Sequence, residues 1–385
     1  MLAITADRLL TPLDDIARPI LLIEDGHIVE VASAATREVP SQARLVDMAS
    51  MTLAPGFVDI HIHGGAGYDV MQGGAAGLSS IETLLARHGV CNYFPTTVTA
   101  PEDATLRALE LLAAAIERAA VSADSTGARP LGIHLEGPFI SHKRRGVHPP
   151  ENLLTPSVAA FDRFWQAARG HIRVLTIAPE LPGAVEVIAE ASARRVCVSL
   201  GHSDADLNAA RAGIAAGARH ATHTFNAMRP LDHRDPGILG EVLTDSRLSA
   251  DIIADGIHLD PIIVELFLKA KGPDAAVLIT DATAATGMPD GRYRLGSLEV
   301  EVKGGRCMVG GKLAGSVLNM DRAVRNVVQF ARWELQQAVR LATLNPARVA
   351  GVKQGGVLEA GAPADLVVLS PSGEVRQTII RGAGI

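Results

Sequence analysis

The sequence predicts an α/β protein: a TIM (β/α)8 barrel with a small β-sandwich domain formed from both chain termini. Three observations predict this architecture. Strand and helix patterns alternate roughly eight times between residues 54 and 349, several of those strand patterns end in His, Asp or Glu, and short alternating apolar segments occur at both ends of the 385-residue chain. A doubly wound open sheet is the competing architecture and requires a topological switch point. The many polar strand ends favour the barrel.

The terminal segments are predicted to form one small β domain in two parts, residues 1–53 and 350–385, on either side of a barrel at 54–349. Its strands are predicted at 2–5, 20–24, 27–31, 44–47, 366–369 and 375–381. Asp25-Gly26 lies between two of these segments and is a strong hairpin signal, because both residues tolerate a positive φ.

The barrel strands are predicted at eight places: 57–63, 91–97, 131–136, 174–178, 196–201, 220–224, 248–254 and 277–280. Thr99-Ala-Pro-Glu102 has the pattern of a capping box and predicts a helix to about residue 121. Ser203-Asp-Ala-Asp206 predicts a second helix start by the same logic, before a helix at 207–216. One further helix is predicted over 320–344, and a β-hairpin over 290–314.

Composition excludes several classes of protein. The chain is 48% hydrophobic and 20% charged with a net charge of −6, so it has no general attraction for nucleic acid or for an anionic membrane surface. The three cysteines are far apart in the sequence and do not suggest a disulfide framework. The first residues lack a secretory pattern, and no apolar stretch approaches the ~20 residues that span a bilayer. We therefore expect a cytoplasmic protein without a membrane partner.

The polar strand ends carry a set of residues that suits a divalent metal. The set comprises His61, His63, Glu136, His202, His223 and Asp281. In a barrel the carboxyl ends of the strands meet at one mouth, so these side chains are expected to converge, and imidazole with carboxylate suits zinc. Any one of the histidines is more often a hydrogen-bonded structural residue, and Glu136 by itself could pair with an arginine. The joint pattern favours the metal site.

These strings, in this order, resemble the amidohydrolase superfamily and, within it, most closely the family of N-acetylglucosamine-6-phosphate deacetylases. The most specific strings are His-Leu-Glu-Gly-Pro-Phe around Glu136, Thr-His-Thr-Phe-Asn-Ala-Met around His223 and Thr-Asp-Ala-Thr around Asp281. Further matches lie at residues 55–61, 146–148, 200–203, 254–258 and 313–316. The resemblance covers nearly the whole chain and implies a metal-dependent TIM barrel that hydrolyses the acetamide of a phosphorylated amino sugar.

The resemblance also implies roles for individual residues. Glu136, His202 and His223 match the main metal ligands, His61 and His63 match a pair that allows a second ion, and Asp281 matches the catalytic acid/base. His148 matches the residue that polarises the amide carbonyl. The implied substrate contacts are Val147, His148, Asn226, Ala227, Arg234, His258, Leu313, Ala314 and Gly315. In the family some phosphate contacts come from a neighbouring subunit, so a homodimer is implied as well.

The metal implied is a divalent ion, zinc first, with one or two per subunit. Many two-metal amidohydrolases bridge their ions with a carboxylated lysine; no lysine follows a predicted strand here, so Glu136 would be the bridge. His233-Arg-Asp-Pro could equally be an exposed ion pair, which leaves the role of Arg234 open. Three other functions remain open: deacetylation of the galactosamine epimer, hydrolysis of a cyclic amide or dipeptide, and a non-catalytic scaffold.

Overall fold

The computed structural model describes residues 1–122 and 126–384. The N-terminal strands are β1 (Leu2–Leu10), β2 (Asp15–Ala17), β3 (Pro19–Glu24), β4 (His27–Ser33) and β5 (Arg44–Pro55). The central strands are β6 (Phe57–Ile62), β7 (Gly64–Gly65), β8 (Tyr68–Asp69), β9 (Val90–Thr97), β10 (Arg129–Pro130), β11 (Ile133–Glu136), β12 (Ile172–Ile177), β13 (Cys197–Leu200), β14 (His220–Ala221), β15 (Ala250–Ile253) and β16 (Ala276–Ile279). The last strands are β17 (Gly291–Leu295), β18 (Leu298–Lys303), β19 (Arg306–Val309), β20 (Lys312–Leu313), β21 (Leu366–Leu369) and β22 (Val375–Ile379).

The helices alternate with the central strands and continue after them. They are α1 (Gly74–Arg87), α2 (Glu102–Val121), α3 (Val158–Ala167), α4 (Ala184–Ala193), α5 (Leu207–Ala216), α6 (Gly237–Thr244), α7 (Pro261–Ala275), α8 (Met320–Ala331), α9 (Leu335–Leu341) and α10 (Leu344–Val349). Short 3₁₀ turns lie at His142–Arg144 and Pro150–Asn152. Within the described part of the chain, no helix combines the length and the hydropathy that a bilayer crossing requires.

The predicted barrel is confirmed. Strands β6, β9, β11, β12, β13 and β14 pair in parallel in that order, and β15 pairs in parallel with β16. Backbone hydrogen bonds close the two remaining junctions: Ala221 N donates to Ser249 O (3.1 Å) between β14 and β15, and Asp281 N donates to His61 O (2.9 Å) between β16 and β6. All eight strands carry buried, largely apolar side chains, as expected when helices cover a parallel sheet.

The helix starts differ from the capping-box predictions. Helix α2 begins at Glu102 with Pro101 as its N-cap and without a side-chain cap, so Thr99 does not cap it. Helix α5 begins after Asp206, whose carboxylate accepts from Ala209 N at 2.8 Å, so Asp206 rather than Ser203 is the cap. Both predicted cap residues instead bond elsewhere: Thr99 to His148 and Ser203 to Glu180.

Both chain ends build one seven-stranded sheet, in the order β22-β21-β5-β1-β3-β4 with β2 beside β1. The link between the ends is the antiparallel pair β5–β21, in which Pro55 faces Leu366. The predicted hairpin is present, because Glu24 pairs with His27 around Asp25 and Gly26, which have φ values of 48° and 75°. The sandwich arrangement of this domain and the domain boundaries at 53 and 349 stay predictions.

Two elements that were predicted as single units consist of several strands or helices in the structure. The predicted hairpin over 290–314 is an antiparallel meander of four strands, β17 to β20. The single helix predicted over 320–344 is divided into α8 and α9, and α10 begins at Leu344. Arg332 takes a left-handed conformation (φ 57°) and ends α8. Apolar periodicity continues across such a break, so the pattern alone does not reveal it.

Candidate metal centre and active site

Six predicted ligand side chains converge at the carboxyl ends of the barrel strands. They are His61 in β6, His63 just after it, Glu136 at the end of β11, and His202, His223 and Asp281, each two residues beyond a strand. Four imidazole Nε2 atoms lie close to the Glu136 carboxylate: those of His61 (3.5 Å), His63 (3.3 Å), His202 (3.3 Å) and His223 (3.1 Å). His63 Nε2 is also 3.2 Å from Asp281 Oδ1. All six are buried.

Hydrogen bonds on the far side of three rings orient them towards this centre. Each ring has its Nδ1 beside a main-chain carbonyl: His63 with Thr96 O (3.0 Å), His202 with Arg144 O (2.9 Å) and His223 with Asn226 O (3.2 Å). A carbonyl can only accept, so the Nδ1 atoms donate and the Nε2 lone pairs of the neutral rings face the centre. Among the described residues, the buried Nδ1 of His61 has no hydrogen-bond partner.

The centre concentrates negative charge that requires a cation. Burial opposes ionisation of Glu136 and Asp281, yet the surrounding imidazoles hold the pKa of Glu136 well below its usual value and lower that of Asp281 to about 2. Burial disfavours the charged form of His223 and of His63, but the two carboxylates raise the pKa of His223 to about 9 and raise that of His63. Burial prevails at His202 and lowers its pKa to about 4. The carboxylates therefore stay ionised, and a protonated imidazole or a metal ion balances their charge.

Three of the converging residues have unusual backbone conformations. His202, His223 and Asp281 have φ values of 47°, 30° and 51°, in the left-handed region that residues other than glycine seldom adopt. Each turns the chain sharply just after a strand, so its side chain points into the barrel mouth. Strain of this kind persists where the surrounding structure enforces it and is concentrated at functional sites.

Two buried aspartates support these strand ends, and the sequence analysis missed both. Asp251 in β15 accepts from the main-chain N of His223 and bonds His220 Nε2 (2.8 Å). Asp59 in β6 accepts from Thr280 Oγ1 at 2.5 Å, next to Asp281. Burial raises the pKa of Asp59 to about 6. Each is the one carboxylate within a short, buried and otherwise largely apolar strand, which is the signal that could have identified them.

The donor set fits a divalent metal. The ligand atoms of His61, His63 and Asp281 lie within 4.8 Å of one another, and so do those of Glu136, His148 and His202. His223 belongs to the second set by distance, because its Nε2 is 3.1 Å from both Glu136 Oε1 and His202 Nε2. Neutral imidazoles with carboxylates are the ligands that zinc and similar ions take. The residues present can therefore hold one ion, or two with Glu136 between them.

A cavity opens directly over this centre, as is usual for a small-molecule site. Eight of the nine predicted substrate contacts line it: Val147, His148, Asn226, Ala227, His258, Leu313, Ala314 and Gly315. Arg234 does not line it and lies on the exposed loop that follows Met228. The sequence analysis missed Val98, Ile253 and Leu295, which are apolar residues of the cavity wall.

His258, one of the predicted substrate contacts, is held by Asp255, three residues earlier in the chain. His258 Nδ1 lies 2.8 Å from Asp255 Oδ2, and the other oxygen of Asp255 accepts from the main-chain N of Ile257 and His258 at 2.8 Å each. Burial raises the pKa of Asp255, but the contact with His258 outweighs it and lowers that pKa overall. The ring of His258 is therefore held with Nε2 free for a ligand. The Asp-x-x-His spacing is the signal for this pair.

A family model, curated relatives and solved structures all show similarity to amidohydrolases. Residues 52–384 match the family model described as the amidohydrolase family. An N-acetylglucosamine-6-phosphate deacetylase of Bos taurus is 41% identical over 90% of this chain and 86% of its own length. An N-acetylgalactosamine-6-phosphate deacetylase of Escherichia coli O157:H7 is 38% identical over 94% of this chain and 96% of its own length. A mutant N-acetyl-D-glucosamine-6-phosphate deacetylase of Mycobacterium smegmatis, solved with N-acetyl-D-glucosamine-6-phosphate, superposes with a TM-score of 0.92 at 36% identity, covering 99% of this chain and 98% of its own.

Proposed function

This chain belongs to the amidohydrolase family, and we propose that it hydrolyses the acetamide of N-acetylglucosamine 6-phosphate to acetate and glucosamine 6-phosphate. One observation carries the proposal: four imidazoles and two carboxylates meet at the floor of a cavity that eight of the nine predicted substrate contacts line. The 36–41% identity to deacetylases of this name supports it.

The metal is proposed to be zinc, held mainly by Glu136, His202 and His223, with a second ion possible at His61 and His63. When bound, such an ion lowers the pKa of a water ligand and polarises the amide carbonyl. Glu136 can serve both sets, because its Oε1 is nearest to His223 (3.1 Å) and its Oε2 is 3.3 Å from His63.

Asp281 is proposed as the acid/base. Its carboxylate is ionised at neutral pH, since its pKa is about 2, and it lines the cavity beside His63. It accepts a proton from the attacking water as the oxygen–carbon bond forms, and gives that proton to the amine nitrogen as the carbon–nitrogen bond breaks. His148, on the same cavity wall, donates a hydrogen bond to the amide oxygen while negative charge develops there.

The test of this function is turnover of three substrates after metal reconstitution: N-acetylglucosamine 6-phosphate, its galactosamine epimer and unphosphorylated N-acetylglucosamine. We expect the first to be turned over fastest and the unphosphorylated sugar to be much poorer. Faster turnover of the galactosamine epimer would favour the alternative that the 38% identical relative suggests. Absence of turnover with every sugar, at full metal content, would contradict the proposal and return cyclic amides and dipeptides to consideration. A chelator should abolish activity reversibly; a scaffold would bind no metal.

The phosphate is proposed to bind His258 from its own chain and Arg234 from a second subunit of a homodimer. Among the described residues that line the cavity there is no Lys or Arg, so the phosphate charge lacks a permanent cation within one chain. Arg234 is exposed, and its side chain is available to reach a neighbouring molecule. A sugar phosphate substrate and three free cysteines fit the proposed cytoplasmic location.

Arg234→Ala is therefore expected to raise KM for the phosphorylated sugar and to leave its kcat nearly unchanged. To test whether Arg234 acts across the dimer, the Arg234→Ala protein is mixed with the Asp281→Asn protein under conditions that exchange subunits. Each hybrid dimer would then contain one intact site, so about a quarter of the wild-type activity should return at low substrate concentration. If Arg234 acts within its own subunit, mixing restores nothing.

A further inference from the structure

We propose that Thr99 is a positioning residue for the reaction, which holds the ring of His148 so that its Nε2–H points into the cavity at the substrate's amide oxygen. This inference rests on the proposed function. It assigns a role to a buried hydroxyl whose sequence context suggested only a helix cap.

The contacts of Thr99 fix which nitrogen of His148 carries the proton. Thr99 lies between β9 and α2, and its main-chain N–H donates to His148 Nδ1 at 3.2 Å. Its hydroxyl oxygen is 2.8 Å from the same nitrogen. An amide N–H can only donate, so Nδ1 must be an acceptor, and the hydroxyl is expected to donate to it as well. The ring proton is thereby assigned to Nε2, on geometric grounds.

This arrangement is opposite to that of the neighbouring histidines. His63, His202 and His223 have Nδ1 against a carbonyl and present a lone pair on Nε2. His148 presents an N–H at the corresponding position, 3.5 Å from Glu136 Oε2. An N–H cannot bind a metal, so His148 is not a ligand in this proposal although it lies near Glu136 and His202. The N–H can instead donate to a carbonyl oxygen that becomes negative. Histidine therefore has two functions in this cavity. The hydrogen bond that Nδ1 makes determines whether Nε2 carries a lone pair or a proton.

The turn after Glu136 leaves space for this hydroxyl. A Cβ on Gly137 would approach Thr99 Oγ1 to 2.3 Å and His148 Nδ1 to 3.7 Å. Gly137 also has a φ of +71°, which favours glycine. The turn that ends the Glu136 strand thus packs directly on the Thr99–His148 contact, so the metal ligand and the proposed oxyanion donor share one rigid support.

Thr99→Val tests the role of the hydroxyl, because it keeps the shape of the side chain and removes only the hydrogen bond. We expect kcat for N-acetylglucosamine 6-phosphate to fall on the order of tenfold, as for the loss of one buried hydrogen bond. KM should change by less than about twofold, since the contact strengthens as charge develops on the oxygen. Thr99→Ser keeps a hydroxyl at this position and should retain most of the wild-type kcat.

The matched control is Thr97→Val, the same substitution two residues earlier. Thr97 is buried, but within the described part of the chain its hydroxyl has no hydrogen-bond partner, so this variant should behave as wild type. Equal losses in both variants would assign the effect to packing and overturn the proposal. An unchanged kcat in Thr99→Val would overturn it too.

A second measurement does not depend on activity. Nitrogen-15 shifts of the histidine rings in the wild-type, metal-loaded protein report the tautomer, with the His148 signals identified by their absence in His148→Gln. We expect protonated Nε2 and bare Nδ1 at His148; the reverse would overturn the proposal. Lack of any deacetylase turnover in the wild type would instead contradict the proposed function and leave this tautomer result standing.

Discussion

The imidazole rings at the barrel mouth differ in what their outer nitrogens contact. Three outer Nδ1 atoms donate to carbonyls, and that of His148 accepts from Thr99. Residue type and strand-end position were visible in the sequence and predicted the convergence. The hydrogen-bond partners were not visible, because they come from loops distant in the chain, such as Arg144 for His202. Roles that depend on a ring proton therefore required the folded arrangement.

Asp281 is the residue whose chemistry is most directly testable. Asp281→Asn removes the ionised carboxylate and keeps the side-chain size, so kcat should fall by about 10²- to 10⁴-fold. Metal content should stay close to normal, because the proposed main ligands Glu136, His202 and His223 remain. The measurement is steady-state turnover together with elemental analysis of the purified variant.

An exposed aspartate in the terminal sheet, Asp7→Asn, provides the control and should retain full activity. Retention of activity in Asp281→Asn would remove this residue from the acid/base role. Loss of the metal together with activity would instead make Asp281 a required ligand.

At the scale of elements, the predictions for the barrel strands agree with the structure to within a few residues. The predicted terminal strands 2–5 and 44–47 were too short, because β1 and β5 continue to Leu10 and Pro55. Val90–Thr97 and Phe57–Ile62 are buried runs with clear apolar patterns, and turn residues bound them. The helix starts were less well predicted, because Thr, Ser and Asp favour caps but also bond to other groups. Thr99 had the composition of a cap, and a tertiary contact with His148 took its hydroxyl instead.

A half-buried carboxyl of helix α1, Glu82, contacts strand β9 and has a testable pH dependence. Tyr93 donates to Glu82 Oε1 at 3.2 Å, and burial raises the pKa of Glu82 to about 7 against 4.5 for the ordinary residue. A raised carboxyl pKa means that the folded state is favoured below pH 4.5 and loses this advantage as the pH rises to about 7.

At pH 8, Glu82→Gln should therefore unfold at a higher temperature than wild type. The gain in the free energy of unfolding is expected to be on the order of 1 kcal/mol after allowance for solvent screening. The gain should vanish below pH 4.5, where both side chains are neutral. Thermal unfolding at several pH values measures it, and the exposed Glu110→Gln is the control. A gain that does not depend on pH would contradict the assignment.

At the scale of the molecule, a buried ionic contact joins the barrel to the terminal sheet. Arg129 donates to Asp365 Oδ2 at 2.7 Å, and Asn92 donates to the same oxygen at 3.1 Å. The exposed fractions of the Arg129 and Asp365 side chains are 8% and 11%. The residues are 236 positions apart, so no local pattern in the sequence indicates that they meet.

Arg129→Ala would leave the Asp365 carboxylate buried with only uncharged donors, and should lower the free energy of unfolding by about 3 kcal/mol. Arg107→Ala, which breaks an exposed pair with Asp103, should change the free energy of unfolding much less. Denaturant unfolding of both variants compares them. Equal, small losses would show that the contact between barrel and sheet does not stabilise the fold.

The order of residues along the chain was sufficient to predict the barrel, the join between the two ends and the residues that converge at the candidate metal centre, because strand periodicity and strand-end chemistry are local properties. Folding alone decided the left-handed turns at His202, His223 and Asp281, the exposed position of Arg234 and the contact between Thr99 and His148. These features depend on which distant carbonyls, amides and hydroxyls are brought within hydrogen-bond reach, and such proximity is a property of the packed molecule.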